Sequence, residues 1–124
     1  MGDNKGLNEV NLYLDEFVAY LISKDRSEST IKTYIEHVQA FVKWFEETNG
    51  IGFDQSVVTE IDIRDMRSYL QVTRHLKETT INLRLASLKC YFSFLESEKY
   101  IKHNPAWNIK KIKTHSPAAL KSMD

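Results

Sequence analysis

TTINLRLASLKCYFSFLESEKYIKHNPAW, residues Thr79 to Trp107, decides the fold. Its apolar residues Ile81, Leu85, Leu88, Phe92 and Leu95 recur at steps of 4, 3, 4 and 3. At about 100° per residue they draw one narrow stripe, so the stretch reads as an amphipathic helix with one buried side. The opposite side carries Thr79, Thr80, Leu83, Ala86, Ser87 and Cys90, small and mostly uncharged, with Arg84 and Lys89 at its two edges. A side meant only for water would hold more Glu and Lys. This one is shaped for close approach to something. The helix is expected to end near Lys99, and His103-Asn104-Pro105 stops any continuation, because the residue before a proline is pushed out of α geometry.

The same periodicity extends toward the N-terminus. A first helix is expected from about Asn8 to Ser23, with Asn8 as N-cap and Val10, Leu14, Phe17, Val18, Leu21 and Ile22 inward. After a short polar turn, a second helix runs from about Ser29 to Thr48 and is closed by Asn49-Gly50. Its inward stripe is Ile31, Ile35, Val38, Phe41, Val42 and Phe45. Opposite lie Ser29, Thr33, His37, Ala40 and Trp44, flanked by Thr30 and Lys32. Residues 50–58 read as a loop with an extended piece at Ser56-Val57-Val58. A shorter third helix is expected from about Asp62 to Thr73, capped by Thr59 or Asp62, with Ile63, Met66, Tyr69 and Leu70 inward. A tight connection from Arg74 to Glu78 leads into the fourth helix, and short connections favour antiparallel neighbours. Beyond Pro105, Ala106, Trp107 and Ile109 are expected to add one more turn on the core. Lys110, Lys111 and Lys113 form a basic run leading to Ser116-Pro117.

With 124 residues, 4 Gly and 2 Pro, the chain reads as one all-α domain large enough to bury a core. No apolar run approaches the roughly 20 residues of a membrane span, and no charged-then-apolar leader opens the chain. Gly6 stands where a myristoylation signal needs Ser or Thr. The lone Cys90 excludes an internal disulfide and suits a reducing cytoplasm. Net charge is zero, but its distribution is uneven. Residues 1–76 hold 8 Lys/Arg against 13 Asp/Glu, and residues 77–124 hold 9 against 4. That asymmetry points to a polyanionic partner on one side of the molecule.

No catalytic constellation is visible. His37, His75, His103 and His115 have no metal-ligand spacing with one another or with Cys90, so no metal and no cofactor is expected. There is no Gly-rich phosphate loop and no Ser-centred elbow. Cys90, inside a helix, reads as structural. The hydroxyl and basic residues opening the second and fourth helices are better candidates. Thr30, Lys32 and Thr33 in one are echoed by Thr79, Thr80 and Arg84 in the other. Ser, Thr, Arg and Lys supply most protein contacts to nucleic-acid phosphates, and the free N–H groups of a helix start favour an anion. For His37 alone, a solvated surface histidine is the simpler expectation.

STIKTYIEHVQAFVKWF, then VVTEIDIRDMRSYL, then TTINLRLASLKCYFSFLESEKYIKHNPAWNIKKIK resembles, over residues 8–115, the N-terminal core-binding domain of tyrosine recombinases, the phage integrase family. The resemblance implies a four-helix SAM-like orthogonal bundle over residues 8–109, a loose start over 1–7, and a basic interdomain linker over 110–124, cut before the catalytic domain. It implies a DNA clamp whose second and fourth helices approach the major groove through Ser29, Thr30, Lys32, Thr33, His37, Thr79, Thr80, Leu83, Arg84 and Ser87. Lys89 stands where the family often has arginine, and Lys110, Lys111 and Lys113 would follow the DNA backbone. The implied partners are duplex DNA and other recombinase protomers, in the bacterial cytoplasm at the nucleoid, with no membrane and no small-molecule substrate. The nucleophilic tyrosine and its Arg, Lys and His partners belong to a further domain, so this chain is expected to cleave no strand itself. Two other classes fit the residues without the resemblance: a helical protein-interaction module using Leu83, Ala86 and Cys90, and an autonomous helix-turn-helix regulator.

Overall fold

The computed structural model describes residues 11–113. They form four α-helices: α1 (Leu14–Ser23), α2 (Glu28–Asn49), α3 (Glu60–Ser68) and α4 (Glu78–Ser97). A 3-10 turn (Gln55–Val57) precedes α3 and a π turn (Tyr69–Thr73) extends it. The described residues contain no strand, so the all-α expectation holds. None of the described helices is long and apolar enough to cross a membrane.

Helix α4 is the axis of the bundle. All five stripe residues, Ile81, Leu85, Leu88, Phe92 and Leu95, are at most 1% exposed. The far side of the helix departs from expectation. Ser87, Tyr91 and Phe94, at i, i+4 and i+7, make a second buried line on the side expected to be open. α1 covers two of the three: Phe17 meets Tyr91 edge-on at 5.3 Å and lies tilted against Phe94 at 5.4 Å between ring centroids, while Ser87 faces α2. On the first side Phe92 stands edge-on to Phe41 of α2 at 6.2 Å. Burying an aromatic ring of this size contributes about 1.5–3 kcal/mol, so α4 carries much of the core. Its open residues are Glu78, Thr79, Thr80 and Leu83 at the start and Glu96 and Ser97 at the end.

α1 begins at Leu14, later than expected; Asn8 and Val10 lie outside the described residues. The Asn11 side-chain oxygen accepts from the Tyr13 N–H at 2.7 Å, and Tyr13 sits in the left-handed region at φ 57°. Phe17 and Leu21 are buried, but Ile22 is 59% exposed, against the expected stripe. A helix this short packs along one line of contacts, and Ile22 stands about 100° round from Leu21. The Tyr91 hydroxyl holds this entry segment by donating to Leu12 O at 2.8 Å, while buried Gln55 donates to Asn11 O at 2.6 Å.

α2 starts one residue before the expected Ser29, because Ser27 caps it: its Oγ accepts from the Thr30 N–H at 3.2 Å. It ends at Gly50, whose φ of 68° supplies the left-handed turn and whose N–H reaches Glu46 O. The extended piece expected at residues 56–58 is absent. Asp54 Oδ1 accepts from the Ser56 N–H at 2.9 Å and coils the chain into the 3-10 turn instead.

Both residues named as caps for α3 serve together. Thr59 accepts from the Asp62 N–H and Asp62 accepts from the Thr59 N–H, a reciprocal capping box. The expected regular helix to Thr73 widens at Tyr69, where the Arg74 N–H bonds Tyr69 O at 3.0 Å, five residues back. His75 then turns left-handed at φ 53°.

After α4, Lys99 at φ 66° and a Tyr100 N–H to Leu95 O bond end the helix. Asn104 ties the segment beyond this stop back onto α4. Its Nδ2 donates to Lys89 O at 2.9 Å and to Ser93 Oγ at 3.0 Å, and its Oδ1 accepts from the Ala106 N–H at 2.8 Å. The expected turn forms over residues 105–108 with Ala106 and Ile109 buried, but Trp107 points outward, 65% exposed. The basic run is fastened to the bundle as far as it is described. Asn82 of α4 donates to Ile112 O at 2.8 Å and accepts from the Ile112 N–H at 2.7 Å, and Arg67 of α3 donates to Lys110 O at 2.6 Å.

Candidate nucleic-acid interface

α2 and α4 share the most extensive contact among the helices. The close approach expected of their small-residue sides is realised, but partly toward each other. His37 Nδ1 and Ser87 Oγ lie 2.8 Å apart at the seam, and Ser87 Oγ is also 3.1 Å from Leu83 O. A hydroxyl has one proton. With that proton on Leu83 O, His37 is the donor from Nδ1 and its Nε2 is the free acceptor. Two expectations fall here. Ser87 is 0% exposed and therefore not a surface contact, and His37 is half-buried and bonded, not a solvated histidine. Burial, then the charge of Arg84, holds the His37 imidazolium below its ordinary range, partly offset by Glu36.

The seam brings the first turns of both helices onto one surface. Ser29, Lys32, Thr79 and Thr80 are exposed, Thr30 and Thr33 are half-buried, and Leu83 is 45% exposed. Leu83 closes a hollow of about 370 Å³ whose other walls include Arg26, Ser29, Thr30, Thr33 and Tyr34. The Ser27 hydroxyl donates to Thr30 Oγ1 at 3.0 Å and lies 3.3 Å from Ser29 Oγ, so these hydroxyls form a local cluster at the start of α2. The hollow therefore offers hydroxyls, the Arg26 cation and the Leu83 side chain, with Asp25 also in its wall, while Lys32 is exposed on the same helix outside it.

Arg84 occupies the opposite flank of the seam. It is half-buried and faces a second hollow of about 220 Å³ between α2, the π turn and α4, with Arg74 and His37 in the same wall. Lys89 separates from this group. It lies on the rotational side of Asn82 and the bound basic run, about 140° round α4 from Arg84. Lys110, Lys111 and Lys113 are exposed along that edge. Thus the 14 expected residues fall into an α2–α4 group and a linker group, with Ser87 removed to the interior.

Several contributors are not visible in the sequence pattern. Arg26 reads there as turn and Arg74 as connection, since a π widening leaves no mark in an apolar period. Asn82 sits at the edge of the core stripe, where a structural clamp and a solvated amide look alike. Cys90 is half-buried, and burial raises its thiol pKa, which fits the structural reading. Among the described residues no group of three or more His, Cys, Asp or Glu side chains could hold a metal ion.

Comparison with known proteins is consistent with this geometry. Residues 14–99 match the phage integrase N-terminal SAM-like domain family. The tyrosine recombinase XerC of Oceanobacillus iheyensis is 29% identical over 114 residues, covering 90% of this chain and 36% of that protein. XerC of Pediococcus pentosaceus is 32% identical over 90 residues, covering 72% of this chain and 29% of its own. A crystal structure of XerA recombinase superposes with a TM-score of 0.60 at 26% identity, covering 69% of this chain and 29% of that one. The chain thus spans about a third of the length of these relatives. Four packed helices matched over 14–99 place it with one family: the chain belongs to the tyrosine recombinases of the phage integrase family, through their N-terminal SAM-like domain.

Proposed function

We propose that this chain is the DNA-clamping part of a site-specific tyrosine recombinase, gripping duplex DNA through the opening turns of α2 and α4 and through the basic edge at residues 110–113. The observation that carries the reading is the hollow in which Ser29, Thr30 and Thr33 of α2 meet Leu83 of α4, with Lys32, Thr79 and Thr80 exposed on the same two helices, in a chain of this family. Hydroxyls and cations would hold phosphates and fix register, and Leu83 against thymine methyl groups would give modest base preference. Lys110, Lys111 and Lys113 track the backbone. Cutting and rejoining fall to residues outside this domain: the most buried tyrosine, Tyr91, has its pKa pushed up to about 12 by burial and its hydroxyl committed to Leu12 O, the opposite of an activated nucleophile. Other protomers on the same DNA are the expected protein partners, and the bacterial nucleoid the place of action.

Binding to mixed-sequence duplex across a salt series tests this. Affinity should fall steeply with salt, and Lys32→Ala and Arg84→Ala should each weaken it without unfolding the domain. Replacing Lys110, Lys111 and Lys113 together should lower the log–log salt slope by about 2–3, one counterion or slightly less per phosphate contact. Absence of binding at low salt, or affinity indifferent to all of these changes, would refute the clamp.

A further inference from the structure

The hollow on the Arg84 flank has a composition that the clamp alone does not explain. Its lining is largely apolar, with Phe41, Trp44, Met66 and Leu88, yet two arginines, Arg84 from α4 and Arg74 from the end of the π turn, stand in the same wall, with Lys43 beside them. Arg84 Nε is buried and has no hydrogen-bond partner among the described residues. A buried charged donor left unpaired is costly, and native proteins rarely keep one without a purpose. The only ion pair among the described residues, Arg64 with Glu60, lies elsewhere, although Glu47 lines the same hollow. Burial first, and then the charge of Arg74, lowers the proton affinity of Arg84. Like charges are thus held together around an empty donor in a partly desolvated place, and a bound anion would relieve all three strains.

We propose that this hollow is a seat for one tetrahedral oxoanion, a phosphate group, gripped by Arg84 and Arg74. Its chemistry is shared by a backbone phosphodiester and by free phosphate. For its natural occupant, a DNA phosphate on the flank of the seam away from the Leu83 hollow, the seat rests on the clamp reading. The π turn has a function here: a regular α-helix through residues 69–73 would carry Arg74 to a different bearing, and the wider turn brings it to the hollow. Guanidinium forks match oxoanion geometry where ammonium groups do not, so arginine at these two positions is not interchangeable with lysine.

Trp44, in the lining, reports on the site once exposed Trp107 is removed by Trp107→Phe. Inorganic phosphate, and separately a short duplex, are titrated into this variant at constant ionic strength set with chloride. Trp44 emission and the Arg84 Nε–H resonance are followed together. Both probes should respond saturably to phosphate and to duplex and not to chloride. Arg84→Lys, which keeps the charge and the stem, and Arg74→Ala, at an exposed residue, should each weaken the phosphate response about tenfold, the loss of one charged hydrogen bond. No saturable response to either titrant, or responses unchanged in both variants, overturns the seat. Duplex binding that leaves Arg84 Nε unmoved overturns the seat and spares the clamp. Phosphate saturation with no duplex binding sustains the seat, assigns it to free phosphate, and refutes the clamp.

Discussion

Asn104→Ala should destabilise the domain far more than an ordinary loop substitution. The side chain is 9% exposed and makes three hydrogen bonds, to Lys89 O, Ser93 Oγ and the Ala106 N–H. Each bond contributes about 1 kcal/mol net, and the orphaned Ala106 N–H, in a residue with 0% exposure, adds a desolvation penalty of about 1–3 kcal/mol. Lys89 O keeps its place in the helical ladder and Ser93 can turn to its own helix, so part of the loss is recovered. The sum comes to about 3 kcal/mol, equivalent to roughly 10 °C in Tm for a domain of this size. Urea unfolding followed by far-UV circular dichroism measures it directly. Asn104→Asp separates the roles: it keeps the acceptor for Ala106 but sets a carboxylate oxygen against Lys89 O, so at pH 7 it should be as damaging as alanine. Below about pH 4, where the carboxyl protonates and can donate, it should regain part of the loss relative to alanine. A cost under about 1 kcal/mol for Asn104→Ala would refute the view that one side chain fastens the segment after α4.

Phe92→Ala, at a ring with 0% exposure packed edge-on to Phe41 and Tyr91, should cost about 3–5 kcal/mol in the same unfolding assay. Gly50→Ala should cost about 1 kcal/mol, all of it backbone strain at φ 68°, since an added Cβ meets nothing within 4 Å. His37 makes stability pH-dependent: its folded pKa lies below the ordinary 6.5, so the unfolded chain takes up the proton first as pH falls. Its contribution is full above pH 6.5 and is lost as pH falls toward the folded value. His37→Gln should therefore show a smaller drop in urea midpoint between about pH 7.5 and 5.5 than the parent chain.

The fold was largely legible because four apolar periods at helical spacing are strong signals and the bundle has few ways to bury them. What escaped was wherever one helix touches more than one neighbour. α4 carries a second line, Ser87, Tyr91 and Phe94, and a serine in that line reads as surface until its partner His37, fifty residues away, is seen beside it. The site was half legible for the same reason. Thr33, Thr79, Thr80, Leu83 and Arg84 stand out as the side opposite the core, whereas Arg74 reaches its place through a π turn that no residue pattern announces. Ile22 and Trp107 err the other way: hydrophobicity alone puts them inside, and packing geometry leaves them out.

The clamp of Asn82 on Ile112 has a consequence for how the basic edge associates. Ordering a free segment costs roughly 1–2 kcal/mol per residue in backbone entropy. Here Ile112 is held by two hydrogen bonds and Lys110 by a third, so the backbone beneath these cations is ordered before any partner arrives. A polyanion meeting Lys110 and Lys111 would have only side chains left to immobilise. Its capture should then be governed by electrostatic steering, fast and strongly salt-dependent, with little of the heat-capacity change that accompanies coupled folding. Asn82→Ala would return the backbone to an ensemble, slowing productive encounter while leaving every positive charge in place.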